Sequence, residues 1–416
     1  MTASTHAIGR FAILLTMIGC GAGCVSTTVV DVTAKPAIKA AETLSEEQLM
    51  DIGITLFDPN VPEDPKEASK RFINRDVRRA EAAFVPYQLR KVLEDTENWG
   101  AVRLIPRDTD AVDLIISGKL IQSDVEVLKV DVVAEDATGR RWLDKTYTDR
   151  AGQLSYNEDV TGDAEPFLDL YNNIANDLLA ARRTLSGDEL ERIRTVSKLR
   201  FAAAISPYAY NEYYEVEDSR VNIKRLPSSD DPMLGRIEKI RDREYAFIDL
   251  LDEHYESFHD EMSSPYEDWR RFSYEETVVL RELRRTSNLT TAAGVLIAIA
   301  GAAERNKART REAYYGSNAA LYGGINLIKG GWDLRKQSKL NAAALAELGD
   351  SFSAEVKPLL VEVQGRTVEL SGTADQQYIK WRQLLREIYT SETGIEVGDD
   401  EMNFLPPKSI NDPVSE

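Results

Sequence analysis

The chain has 416 residues but only two cysteines and three histidines, and it has no apolar run long enough to cross a bilayer as a single helix. Both cysteines, Cys20 and Cys24, stand near the start, so no disulfide framework can brace the rest of the chain. Positive charge is also in deficit. Lys and Arg total 51 against 70 Asp and Glu, a net charge of −19. Binding to nucleic-acid phosphates needs clustered cations, so nucleic acid is not an expected partner. The same deficit excludes an extended polybasic membrane surface. Catalytic signatures are missing too: there is no Gly-x-Ser-x-Gly elbow, no P-loop and no Gly-x-Gly-x-x-Gly turn. Two carboxylates would suffice for a glycosidase, but nothing singles out a pair among seventy acids. The expectation is a protein without enzymatic activity and without a cofactor.

The features that are present begin with a targeting signal. Arg10 flanks Phe11-Ala-Ile-Leu-Leu-Thr-Met-Ile-Gly19, an apolar stretch that suits the core of a signal peptide. Met17-Ile18-Gly19-Cys20 then resembles the lipobox of bacterial lipoproteins. The resemblance implies cleavage after residue 19, lipid on the Cys20 sulfur and an acylated amino terminus. Cys24, behind Gly21-Ala22-Gly23, is the second choice. Two or three acyl chains give stable anchoring where one chain does not. Gly21, where sorting signals would place Asp, implies the periplasmic face of the outer membrane. Partners would then be the membrane itself and other envelope proteins, or further copies of the chain.

The expected fold class is α+β: a small sheet-and-helix domain, a mainly α-helical middle with a Gly-rich helical hairpin, and a carboxy-terminal ββα element. Residues 20–48 are small and polar without periodicity, which reads as a tether. Residues 49–160 alternate in the order β-α-β-β-β. A helix runs from Asn74 towards Gly100, with Pro86 marking a kink or a fresh start. Leu128, Val130, Val132 and Ala134 share one face of a strand, and Ala137-Thr138-Gly139-Arg140 makes a hairpin turn. Asp113-Leu114-Ile115-Ile116-Ser117-Gly118, with the Asp136-x-Thr-Gly139 hairpin, resembles the domain shared by curli-secretion lipoproteins, the TolB amino-terminal domain and transport-auxiliary lipoproteins. That resemblance, over about 100 residues, implies assembly, tethering or export and no catalytic residues.

Residues 163–350 read as helical. Phe167, Leu170, Tyr171, Ile174, Leu178 and Ala181 form one face, and Ser186-x-x-Glu189 is a capping box. Gly294 and Gly301, then Gly316, Gly323 and Gly330, repeat at seven residues and would line a groove for close helix approach. A buried hairpin is the leading reading; a subunit interface or a membrane-inserting hairpin are the others. Tyr208, Tyr210, Tyr213 and Tyr214 could stack on glycan sugars, although such clusters more often pack a seam. His254 and His259 are five apart, about 140° around a helix, so they do not pair as metal ligands and read as part of a solvated acidic face. Residues 356–397 give strand, strand, helix, with Tyr378, Trp381, Leu384 and Leu385 facing inward. "GRTVELSG" resembles part of a BON domain. Residues 398–416 read as a disordered tail. The functional expectation is an outer-membrane-anchored scaffold or adaptor. The alternatives are a subunit of a ring-forming export or assembly complex and a peptidoglycan-binding protein.

Overall fold

Alternating apolar residues build the centre of the molecule. The computed structural model describes residues 28–31, 34–42, 44–45, 49–70, 73–106, 109–156, 165–228, 230–290, 347, 356–363 and 366–394. Its first half contains β1 (Thr28–Asp31), β2 (Ile52–Thr55), α1 (Pro65–Lys70), α2 (Arg75–Asp95), β3 (Val102–Ile105), β4 (Leu114–Ser123), β5 (Val127–Asp136) and β6 (Arg141–Arg150). Six strands form one mixed sheet in the order β1-β6-β5-β4-β2-β3. The β4-β5-β6 meander is antiparallel, whereas β2 runs parallel to β3 and β4. Leu128, Val130, Val132 and Ala134 are all buried on one face of β5, as the alternation predicts.

The β5–β6 turn shows why its residues are Asp, Thr and Gly. The Asp136 carboxylate accepts from the Thr138 and Arg140 amides at 2.9 and 3.2 Å, and its other oxygen accepts from the Trp142 indole at 2.8 Å. Gly139 takes φ +81°, a left-handed conformation that other residues adopt at a cost.

Helix α2 is opened by Asn74, whose side chain accepts from the Asp76 and Val77 amides. It runs unbroken through Pro86, contrary to the expected kink or restart. Proline has no N–H to offer the Ala82 carbonyl, and the Phe57 amide takes that carbonyl instead at 2.9 Å. The missing helix bond thus becomes a bond from the helix to the loop after β2. The helix also ends earlier than expected, at Asp95 with Thr96 as its cap. Gly100 serves a different purpose: a Cβ there would lie 2.5 Å from Asp51 Oδ1.

The second half adds α3 (Leu168–Arg183), α4 (Gly187–Ile205), α5 (Pro207–Tyr210), a hairpin of β7 (Tyr214–Glu217) and β8 (Arg220–Ile223), and the 59-residue α6 (Pro232–Thr290). Then come β9 (Val356–Val363), β10 (Arg366–Gly372) and α7 (Ala374–Thr393). The Ser186–Glu189 capping box is present, and Thr373 with Gln376 forms a second at the start of α7. At about 1.5 Å per residue, α6 is roughly 90 Å long. Ile237, Ile240, Phe247, Leu251, Tyr255, Phe258, Met262, Tyr266 and Trp269 are all buried, a 3–4 stripe along α6.

The molecule is therefore α+β, with a mixed sheet, a helical middle and a carboxy-terminal ββα element. Two expectations need correction. The boundaries near 160 and 356 do not separate cores among the described residues. One apolar cluster joins Val130 of the sheet, Leu170 of α3, Val196 of α4, Phe247 of α6 and Leu385 of α7. A one-sided sheet and single-stripe helices must cover one another, and none could bury its face alone. The stretch read as a tether is also structured in part. Thr28–Asp31 pairs parallel to Lys145–Thr148 of β6, and residues 34–42 lie against the body.

Candidate functional site

Cys20, Cys24 and the glycines Gly294, Gly301, Gly316, Gly323 and Gly330 lie outside the described residues, as does the tail 398–416. The four tyrosines do not form one platform. Tyr210 is buried in the main core, Tyr213 and Tyr214 are half-buried, and Tyr208 alone projects, at 72% exposure. Tyr210 and Tyr213 rings stand 5.7 Å apart, and the Arg225 guanidinium covers the Tyr213 ring at 4.6 Å. Apart from Tyr208, the rings are thus turned inward or covered.

His259 is not on a solvated face. It is buried between α2 and α6, stacked on Phe84 and Tyr87 with ring centroids 4.8 and 4.2 Å away, and one ring nitrogen meets Gln88 Nε2 at 2.8 Å. Removal from water lowers its pKa, although Asp260 works the other way. The sequence signal was available: Tyr255, Phe258 and Met262 continue the buried stripe through the acidic stretch. Among the described residues, no group of three His, Cys, Asp or Glu side chains is arranged to hold a metal ion.

Two buried polar nodes were not anticipated. In the first, Glu244 of α6 accepts from Thr109 Oγ1 at 3.1 Å, from Arg382 of α7 at 3.0 Å and from the Tyr378 hydroxyl. Burial and the Glu244 charge hold the Tyr378 hydroxyl well above its ordinary pKa. In the second, Glu81 of α2 accepts from Ser123 and from Tyr266 of α6, both at 2.7 Å. Beside it, Arg270 grips Glu165 through two bonds of 2.7 and 3.1 Å. Burial works against the Arg270 charge, but Glu165, Tyr266 and Tyr156 together outweigh it and hold its pKa above the ordinary value. These nodes fix where α6 crosses the body. Buried charges of this kind specify a geometry, and removing one partner strands the other.

The outer side of α6 and the start of β3 form an open cleft of about 320 Å³, lined by Arg90, Glu94, Arg103, Asp249, Asp252 and Glu256 among others. Its arginines are engaged. Arg90 meets Asp252 at 3.2 Å and Glu94 at 3.1 Å, and Arg103 meets Asp249 at 2.6 Å. Burial raises the Asp252 pKa to about 6, against the pull of Arg90. Asp252 also accepts from the Leu104 amide at 3.3 Å, so its carboxylate ties helix to strand.

The amino-terminal segment has its own construction. Asn176 of α3 accepts from the Ile38 amide at 2.8 Å and donates to the Pro36 carbonyl at 3.1 Å. Asn98 donates to the Ile38 carbonyl at 2.7 Å, and the Ala40 amide donates to the Thr96 carbonyl at 2.8 Å. The backbone on both sides of Ile38 is pinned, while its side chain points out at 45% exposure between the exposed Lys35 and Lys39. The start of β1 is close by. Thr28 pairs with Lys145, whose ammonium meets Asp177, the neighbour of Asn176, at 2.9 Å. No helix among the described residues is long and apolar enough to cross a membrane. No family model, curated protein or solved structure matches this chain.

Proposed function

We propose that this chain is a lipid-anchored scaffold or adaptor of the bacterial envelope, held at the periplasmic face of the outer membrane and working through its surfaces. The observation that carries the reading is the short apolar run ending in Met17-Ile18-Gly19-Cys20. The position of β1 fits it. Thr28 is only eight positions beyond Cys20, at most about 28 Å of extended chain. A lipid on Cys20 would hold the body close to the bilayer, on a leash much shorter than a tether reaching to residue 48. The reading also draws on the resemblance of residues 49–150 to an assembly-type domain. The ion-paired cleft favours a rigid body over a reactive pocket.

The test is membrane fractionation with mass analysis of the amino-terminal peptide, using the full chain made in a Gram-negative host. The expected product begins at residue 20 and carries acyl chains. Cys20→Ala releases the protein from membranes, and Cys24→Ala does not. Release by Cys24→Ala alone would move the anchor to Cys24. Membrane-free wild-type protein without acyl chains would overturn the reading.

A further inference from the structure

We infer that Lys35, Ile38 and Lys39 form a bilayer-contacting surface that sets how the anchored body stands on the membrane. The inference rests on the lipid anchor proposed above and adds an orientation to it. Three observations converge. First, the segment is held on both sides of Ile38: Asn176 of α3 and Asn98 from the loop after α2 take the Ile38 amide and carbonyl and the Pro36 carbonyl, and Ala37 packs against the core. Such pinning projects an apolar side chain outward where an unconstrained segment could turn it in. One exposed isoleucine is ordinary, but one presented on a rigid backbone between two cations has the layout of an interfacial contact.

Second, the segment lies where the chain enters the fold. The contacts run from Thr28 to Lys145, to Asp177, and to Asn176 beneath Ile38. A leash running from Cys20 to Thr28 therefore ends on the same side of the fold as Ile38. Third, the charge is right locally although the chain is acidic as a whole. Among the described residues no ion pair holds Lys35 or Lys39. A body of net charge −19 is repelled by an anionic leaflet, and an approach led by two free ammonium groups is the favourable one. Past Ala40 the surface turns acidic, with Glu42 and Glu97 exposed, which confines the contact to residues 35–39.

The occupant is a phospholipid bilayer surface, with phosphates on the lysines and the Ile38 side chain at the acyl boundary. The test uses the full acylated chain in a Cys24→Ser background, reconstituted into phosphatidylethanolamine–phosphatidylglycerol vesicles that carry brominated acyl chains. An environment-sensitive dye is placed at Ile38→Cys, or at Tyr208→Cys as a distant exposed control. The expected result is a blue shift and bromine quenching at position 38 and neither at 208. Adding Lys35→Glu and Lys39→Glu removes most of the quenching, while the lipid keeps the protein floating with the vesicles. A protein that floats with position 38 unquenched, or quenched no more than 208, overturns the inference alone. Quenching that survives the two charge reversals removes the lysines from it. A protein that does not float overturns the anchor as well.

Discussion

Asp113 illustrates how a single side chain can hold a strand junction and weaken the protein at the same time. Its carboxylate accepts from the Asp51 amide at 3.0 Å, joining the starts of β2 and β4, and it is 7% exposed. Burial, with the Asp51 charge acting in the same sense, raises its pKa from 3.8 to about 6. The folded state therefore keeps the proton between about pH 4 and 6 while the unfolded state releases it. Stability from this group is greatest below pH 4 and falls as pH rises towards 6, by at most about 3 kcal/mol. Asp113→Asn keeps an acceptor for Asp51 and removes the titration. Urea midpoints from pH 4 to 7 are expected to fall less steeply in the variant, and parallel curves would show that Asp113 does not titrate there. Gly139 makes a second residue-scale case. A Cβ there would meet the Ser219 carbonyl at 1.9 Å, besides the cost of φ +81°. Gly139→Ala is expected to lose about 2 kcal/mol or more, read by the same urea titration. The conformational need was legible in Asp-x-Thr-Gly. The packing of the turn against the β7–β8 hairpin was not, because nothing local to residues 136–140 encodes a neighbour eighty residues away.

At the scale of elements, α6 carries most of the organisation. It lies across β3, α2, α4 and α7, and its buried stripe is interrupted by charged groups where other elements arrive. Arg382→Met would leave Glu244 buried without its cation and is expected to cost about 3–5 kcal/mol. Glu244→Gln together with Arg382→Met should recover a large part of that, and additive losses in the double variant would show that the two are not coupled. Helix ends and faces were largely readable beforehand. The Ser186–Glu189 box stands, the α3 face is buried except for half-buried Ala181, and Tyr378, Trp381 and Leu385 face inward while Leu384 is half-buried. Pro86 misled because the Ala82 carbonyl it leaves free is taken by the Phe57 amide, which offsets the lost helix bond. The nodes at Glu244 and Glu81 were hidden for a related reason: a buried glutamate looks like any surface glutamate until its partners, contributed by other elements, are known.

For the whole molecule, the apolar cluster that runs from sheet to α7 makes the ββα element part of the body. Phe247 of α6 stacks on Trp381 at 5.0 Å, and Arg236 donates to the Glu392 carbonyl at 3.1 Å. Removing the chain from residue 356 onward would bare Phe247, which packs against Tyr378 and Trp381. The expected outcome is a lower thermal midpoint for the sheet itself, followed by circular dichroism. An unchanged midpoint would make the element an independent unit. Fold class could be read from the order of patterns, but domain number could not. Length suggests several cores, whereas a single stripe on each of several helices permits one.

The parallel pairing of β1 with β6 has a consequence in time. A strand near the amino terminus emerges first, yet its partner is made only after β2, α1, α2, β3, β4 and β5. Until β6 arrives, β1 has no partner strand. Processing enzymes acting at Cys20 would meet an unhindered chain during that interval. Once Thr28 is registered against Lys145, they would face a folded body eight residues away. On the anchor proposed above, topology would set the order of events: lipid attached while β1 is unpaired, then closure of the sheet drawing the body down to it.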